Sequence, residues 1–438
     1  MPIMFAMLFG GLMLAAGGTI DIATIMRVRS NIQNVSDSAA LAGASQYRLG
    51  NSDTNVVRQV ALSFANSALS SAGIDGEPTV TVNDADRSVK VAIAAKVRLH
   101  FIRLGGSAGY SVNSNATARA GSSSVICLLA LGDGSTNLGV DNGRVTASKC
   151  NTHSNSKSSD GLILNGLSTM SAKVNCTGGG YVGSDAAFDP KPATDCPAAA
   201  DPLGSRPAPS DTKCDFKDYK VEIGLQTLHP GVYCGGLVID KPSRVRLMHG
   251  TYIMKDGPLI LTNGAMLNMV DAAVYLTGKD AVLYFDYTTT LDLSAPVSGP
   301  MAGILFFEDR GAPTGRLHQI GSRIAPQLLG TIYLSRGKLV VGQLPTDDVL
   351  QFDCKSQAAN NANLLARNPA LKGRLSSLVT VPCPMPPIHV SLQSAWTLIV
   401  ARHVAINGGV DLVLNANYDA APVAPPSEAM KDSTILVH

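Results

Sequence analysis

A mainly β chain tethered by one apolar N-terminal helix is what this sequence predicts, and three features carry the expectation. From Pro2 to Ile20 there is no charged residue, and the apolar run continues as Ile22, Ala23, Ile25 and Met26 around a single Asp21. From about Val125 the pattern changes to short β-forming runs split by Gly and Asn, with an internal repeat. All eight cysteines follow the apolar run, widely spaced and without a CxxC.

The composition fits a globular protein. The 438 residues are 45% hydrophobic and 16% charged, and the length allows more than one folded unit. A net charge of +2 argues against a nucleic-acid partner, which needs a basic stripe. With 42 Gly, 24 Pro and 5% aromatic residues, the chain is rich in turns and short strands.

Residues 1–26 read as a transmembrane anchor. About 20 apolar residues cross a bilayer, and the run exceeds the roughly 7–15-residue core of a signal peptide. Asp21 sits late in the run, where an ionisable group is tolerated at the interface or docks a partner helix. The helical period continues past the span in Ile25, Val28, Ile32, Val35, Ala39 and Ala42, spaced alternately three and four residues apart. Asp21, Ile32, Val35, Ala39 and Ala42 are therefore the candidate helix-packing residues. Two readings compete for this thin, Ala-rich stripe: packing on the chain's own next helix, or assembly with helices of partners.

Residues 27–124 read as a helical stem and small α/β domain. A second helix spans Asp53 to Ala72, followed by strands at Thr79–Val82, Ser88–Phe101 and Tyr110–Ala118. Residues 125–424 read as a right-handed parallel β-solenoid, β-helix-like, with a β-sandwich as the alternative. NGRVTASKCN (Asn142–Asn151) resembles NGLSTMSAKVN (Asn165–Asn175), and HPGVY (His229–Tyr233) resembles MHGTY (Met248–Tyr252). A repeat of about 20 residues containing strand, corner and strand suits stacked rungs, since no rung buries its inward face alone. Asn-Gly steps supply the positive φ of sharp corners. Two stretches, 185–218 and 344–387, read as loops thrown out from a rung, the second around a short helix at Ala358–Arg367. Residues 425–438 read as a flexible tail.

Cys127, Cys150, Cys176, Cys196, Cys214, Cys234, Cys354 and Cys383 read as disulfides formed in an oxidising compartment. Pairing in sequence order closes four loops of about 20 to 30 residues; buried free thiols are the alternative for some. One feature opposes this compartment. The basic residues Arg27 and Arg29 follow the apolar run and none precedes it, the reverse of the positive-inside pattern. A short basic leader upstream of the given start would reconcile the two. The expected location is the cytoplasmic membrane, single-pass, with the large C-terminal part in the periplasm or outside the cell.

The sequence offers no convincing active site, cofactor site or metal site. The histidines are scattered, and HExxH and P-loop patterns are absent. Asp133-Gly134-Ser135-Thr136-Asn137 approaches a metal-adhesion motif but ends in Asn, and reads as a polar turn. Glu308-Asp309-Arg310 brings acid and base together, as polysaccharide-cleaving solenoids do, yet reads as a salt-linked strand end. The expectation is a protein that is not an enzyme.

The N-terminal pattern resembles the TadG-like (TadE/TadG) proteins of tight-adherence, or Flp, pilus systems. The residues that carry the resemblance are the apolar span, Asp21, Arg29, Ile32-Gln33-Asn34, and Asp37 before Ala39 to Ala44. Pro230 to Gly236, Leu293 to Pro296 with Gly303 to Phe307, and Leu412 to Tyr418 also look like C-terminal parts of such proteins. The resemblance implies a membrane-anchored, non-catalytic accessory of pilus assembly or secretion. Its partners would be pilus-assembly membrane proteins, the bilayer through one helix, and a glycan or surface. Some relatives carry a von Willebrand A-like domain with a metal, a branch from which the altered motif at Asp133 departs. A tip adhesin and an envelope polysaccharide enzyme stand as alternatives.

Overall fold

The computed structural model describes the backbone except at residues 1, 47–52, 85–86, 98, 100–109, 121–124, 211–212, 344–361, 363, 376–382, 384–385, 427–433 and 438. Side chains are described for the same residues apart from 2–17, 119–120 and 434–437. The chain forms two compact units: Met1–Ser124 with Lys431–His438, and Val125–Met430.

The first unit packs two helices on an antiparallel sheet. Helix α1 spans Pro2–Ala44 and α2 spans Thr54–Ser71. The Asp53 side chain caps α2 by accepting the Asn55 N–H at 2.9 Å. Gly73, at φ 63°, lets the chain turn out of the helix. Strands β1 (Gly76–Asn83), β2 (Ser88–Val97) and β3 (Tyr110–Ala120) follow. Val89, Val91, Ile93, Ala95 and Val97 alternate along β2 and are buried, so one face of the sheet meets Ile32, Ala39, Val57 and Ala61 of the helices. Residues 434–437, read from sequence as part of a loose tail, form a fourth strand antiparallel to β3, with Thr434 opposite Ala120 and Val437 opposite Thr117. The run Thr-Ile-Leu-Val, three of its four residues β-branched, suits an edge that β3 leaves open.

The second unit is mainly β, and its strands run parallel in three ladders. In the first, ladder A, Leu225 faces Arg244, Arg244 faces Met266, Met266 faces Thr290 and Thr290 faces Ile324. It continues through His389, Asp411, Arg144 and Thr169. In ladder B, Tyr275 faces Phe307, and Tyr333 faces Val400. In ladder C, Ile260 faces Tyr284, and Val340 faces Ala405. Each circuit of the chain adds one strand to each ladder; partners along ladder A lie 19 residues apart at Leu225 and Arg244 and 65 apart at Ile324 and His389, where the chain makes a long excursion. The sequence repeat is visible in the tyrosines. Tyr233 donates to the His229 carbonyl at 2.7 Å and Tyr252 to the Met248 carbonyl at 3.1 Å, the same tie on adjacent circuits. Asn142 and Asn263 turn corners at positive φ, 49° and 54°.

The order along the ladders is not the order of the chain. Thr397–Asn407 pairs with Ile126–Ala130 and Leu138–Asp141, and Val410–Val413 pairs with the start of Arg144–Ser154. The last circuit thus seats the first.

Val245, Leu267, Leu291, Leu328, Leu412 and Met170 point inward from ladder A into one continuous core. Described residues from the two stretches expected as loops thrown outward lie against the outer sides of the other ladders. The crossover segment 201–206 covers part of ladder B. Tyr333 donates to Asp201 at 2.7 Å, Arg310 donates to the carbonyls of Leu203 (3.1 Å) and Arg206 (2.7 Å), and Leu203 is buried. Leu364 and Leu371 cover ladder C, packing with Val238, Ile260, Tyr284 and Val340. The physical reason is the outward rows themselves: Tyr275, Phe307 and Tyr333, or Val238, Ile260 and Val340, are too apolar to face water. Of the expected helix Ala358–Arg367, the described part, 364–367, is helical; the remainder lies mostly outside the described residues.

Three disulfides join cysteines in sequence order: Cys127–Cys150, Cys176–Cys196 and Cys214–Cys234, with Cα separations of 5.7, 6.1 and 5.6 Å. Loops of 23, 20 and 20 residues correspond to about 3 kcal/mol each by loop-closure entropy. The expected pairing of Cys383 with Cys354 lies outside the described residues, because Cys354 does.

Candidate functional site

Helix α1 changes character along its length. In its C-terminal half, Ile32, Ser36, Ala39, Ala40, Gly43 and Ala44 are buried, while Val35 and Ala42 are half-buried at the margin. The spacing is helical, so these residues form one stripe. Ser36 donates to the Ile32 carbonyl at 2.9 Å and shares a 2.6 Å hydrogen bond with Ser114 on β3. Gln33 donates to Asp37 Oδ1 at 2.9 Å and to the Asn115 carbonyl at 3.2 Å. A Cβ on Gly43 would meet Ala61 Cβ at 2.9 Å and Val89 Cγ1 at 3.1 Å, so the small residues bring α1 against α2 and the sheet. Of the five candidate packing residues, Ile32 and Ala39 join the core of the first unit.

Nearer its start the same helix presents apolar groups to solvent. Ile20 is 54% exposed and Met26 67%, with Ile22 also exposed, yet Asp21 between them is 1% exposed. That inverts the usual preference of side chains and marks this turn as adapted to something other than water. Among the described residues, no helix is long and apolar enough to cross a membrane. The expected span 1–26 rests mostly on side chains outside the described residues.

The second constellation surrounds Glu308, the acid of the sequence trio, which is fully buried. Its Oε1 accepts from Arg316 Nε (3.2 Å) and Nη2 (2.7 Å) and from His318 Nε2 (3.1 Å). Its Oε2 accepts the Arg336 and Gly337 N–H groups, both at 2.8 Å. The Leu283 N–H donates to His318 Nδ1 at 3.3 Å, which leaves Nε2 carrying the proton toward Glu308. Burial alone would push the carboxyl up; the hydrogen bond from His318 and the charge and hydrogen bonds of Arg316 outweigh it and hold the group at about 2. Every acceptor position faces a donor, so Glu308 acts as a clamp between strands. Asp309 accepts from Thr277 at 2.9 Å and from the Gly311 N–H at 2.9 Å, and Arg310 holds the crossover. The trio thus does not converge on one point. Sequence reading missed Arg316 and His318. Their signal was the i, i+2 spacing, with His318 in the strand Leu317–Ile320 and Arg316 just before it.

At Asp133 to Asn137 the side chains also diverge. Thr136 donates to Asp160 at 3.0 Å, buried Asn137 donates to the Gly132 carbonyl, and Asp133 is solvent-facing with Arg402 at 3.9 Å. Among the described residues no group of three or more His, Cys, Asp or Glu is placed to hold a metal. On the exposed side of ladder A, His389 Nδ1 lies 3.5 Å from Asp411, and Arg144 follows in register.

The comparisons agree with the character of the helix. Residues 1–46 match the model of the putative Flp pilus-assembly TadE/G-like family. The segment that contains Asp21, Ile32, Val35, Ala39 and Ala42 is thus TadE/G-like. No curated protein and no solved structure gives a significant match to the chain.

Proposed function

We propose that this chain is a membrane-anchored, non-catalytic accessory of a Flp/Tad-type pilus or secretion assembly, working as a scaffold or docking element outside the cytoplasmic membrane. The observation that carries the reading is the TadE/G-like segment at residues 1–46. Exposed Ile20, Ile22 and Met26 support it, since they continue the uncharged run Pro2 to Ile20 and would be at home in lipid. The three disulfides support an oxidising side for the second unit. The three parallel ladders are best understood as the sides of a right-handed β-solenoid, a stiff body suited to holding and spanning. Pilus-assembly membrane proteins are the expected partners, with the bilayer held through one helix.

The test is fractionation of cells carrying the intact chain with a reporter at its C-terminus, followed by crosslinking. Recovery in the membrane fraction, reporter activity outside the cytoplasm, and capture of pilus-assembly subunits are expected. A chain that stays in the cytosol with reduced thiols would overturn the reading.

A second reading, an envelope enzyme acting on polysaccharide, draws on His389, Asp411 and Arg144 aligned on neighbouring circuits. Depolymerisation of an acidic glycan by the purified chain, lost in His389→Ala, would favour it.

A further inference from the structure

The outer side of ladder A lies opposite the two covered ladders in character: its outward row is largely exposed. At one end, strand Gly224–Leu228 is followed by Ser243–Leu247 and Met266–Met269. The inward residues Val245, Leu247, Leu267 and Met269 belong to the core, so Arg244 and Arg246 point outward, about 7 Å apart along the strand. Leu225 and Met266 flank Arg244, one strand to each side. Leu225 is 79% exposed and Ile223, just before it, 69%. Thr227 and Asn268 flank Arg246 in the same way.

The charges here are unbalanced. Among the described residues, neither arginine forms an ion pair or a side-chain hydrogen bond. The acidic groups nearby are already engaged: Glu222 holds Lys241 at 2.5 Å, and Asp292 accepts from Asn268 at 3.1 Å. Two arginines set between exposed Leu, Ile and Met make the composition of a protein-binding patch, where Arg and Met are enriched and guanidinium groups pair with carboxylates in a fork.

We propose that this end of ladder A, centred on Arg244 and Arg246, docks an extended peptide segment of a partner that alternates acidic and apolar side chains. Spacing is the reason for an extended segment. A strand places alternate residues on one face about 7 Å apart, so two of its acidic side chains reach the two guanidinium groups together. The proposal builds on the docking role given above but does not depend on the membrane, so the two can fail separately.

The test uses the full chain in detergent and two dye-labelled synthetic peptides, one alternating leucine and glutamate, the other leucine and lysine. Fluorescence anisotropy is expected to detect the glutamate peptide and not the lysine peptide, with affinity falling as salt rises. Arg244→Glu/Arg246→Glu should weaken binding about tenfold or more, and Arg244→Lys/Arg246→Lys should retain most of it. Both variants change exposed residues, and circular dichroism checks that each is folded. Equal binding of the two peptides, full affinity in the charge-reversed variant, or binding of polygalacturonate without binding of the glutamate peptide would each overturn the proposal. Cell fractionation is unaffected by any of these outcomes.

Discussion

Replacing Glu308 with Gln should convert a buried and fully satisfied ionic contact of the second unit into a liability. The carboxylate accepts five donors, two of them main-chain N–H groups of Arg336 and Gly337. An amide has one acceptor oxygen, so its NH2 must oppose either those N–H groups or Arg316. The magnitude follows from linkage. The carboxyl titrates at about 2 in the folded chain against an ordinary 4.5. A depression of that size corresponds to about 3 kcal/mol of stability. The sign is fixed: the contribution is fully present above pH 4.5 and is lost as pH falls toward 2. Glu308→Gln should therefore cost about 3 kcal/mol in urea unfolding at pH 7, and the deficit should shrink as pH falls through that window. A cost below about 0.5 kcal/mol at pH 7, or one that stays constant down to pH 2.5, would refute the reasoning.

Three other outcomes follow from the packing. Gly43→Leu should destabilise the first unit by about 1–3 kcal/mol in thermal unfolding, because Ala61 and Val89 already fill the space a side chain needs. Leu371→Ala should cost about 2–5 kcal/mol, read in urea, and should speed hydrogen exchange in the strands of ladder C that it covers. Under a mild dithiol reductant followed by alkylation and peptide mass spectrometry, Cys176–Cys196 and Cys214–Cys234 should be labelled before Cys127–Cys150, whose cysteines are both fully buried.

Much of this architecture can be read from residue patterns, and the exceptions share a cause. The stripe Ile32, Val35, Ala39 and Ala42 repeats at helical spacing, and alternation along Val89, Val91 and Ile93 announces a strand. The paired tyrosines His229–Tyr233 and Met248–Tyr252 reveal neighbouring circuits because each repeats one local hydrogen bond. Local signals of this kind say nothing about distant partners. Glu308 read as part of a salt-linked strand end because Arg310 is its neighbour in sequence. Its actual partners, Arg316, His318, Arg336 and Gly337, come from farther along the chain. The stretches 185–218 and 344–387, which include Leu203 and Leu371, read as loops thrown out from a rung because polar and Pro-rich segments carry no period of their own. What holds Leu203 and Leu371 is the apolar outward row they cover, which only the assembled ladders create.

The seating of the first circuit on the last has a consequence for biogenesis. A polypeptide made or exported N-terminus first delivers Ile126–Ala130 early, while its neighbour Thr397–Asn407 arrives only after some 270 further residues (on the order of a whole domain). Until then the opening turns have a bare hydrogen-bonding rim, and completion must wait for the tail end of the domain, a slow and non-local closure. A chain terminated before Thr397 would thus be left with two half-stacks and no joint between them.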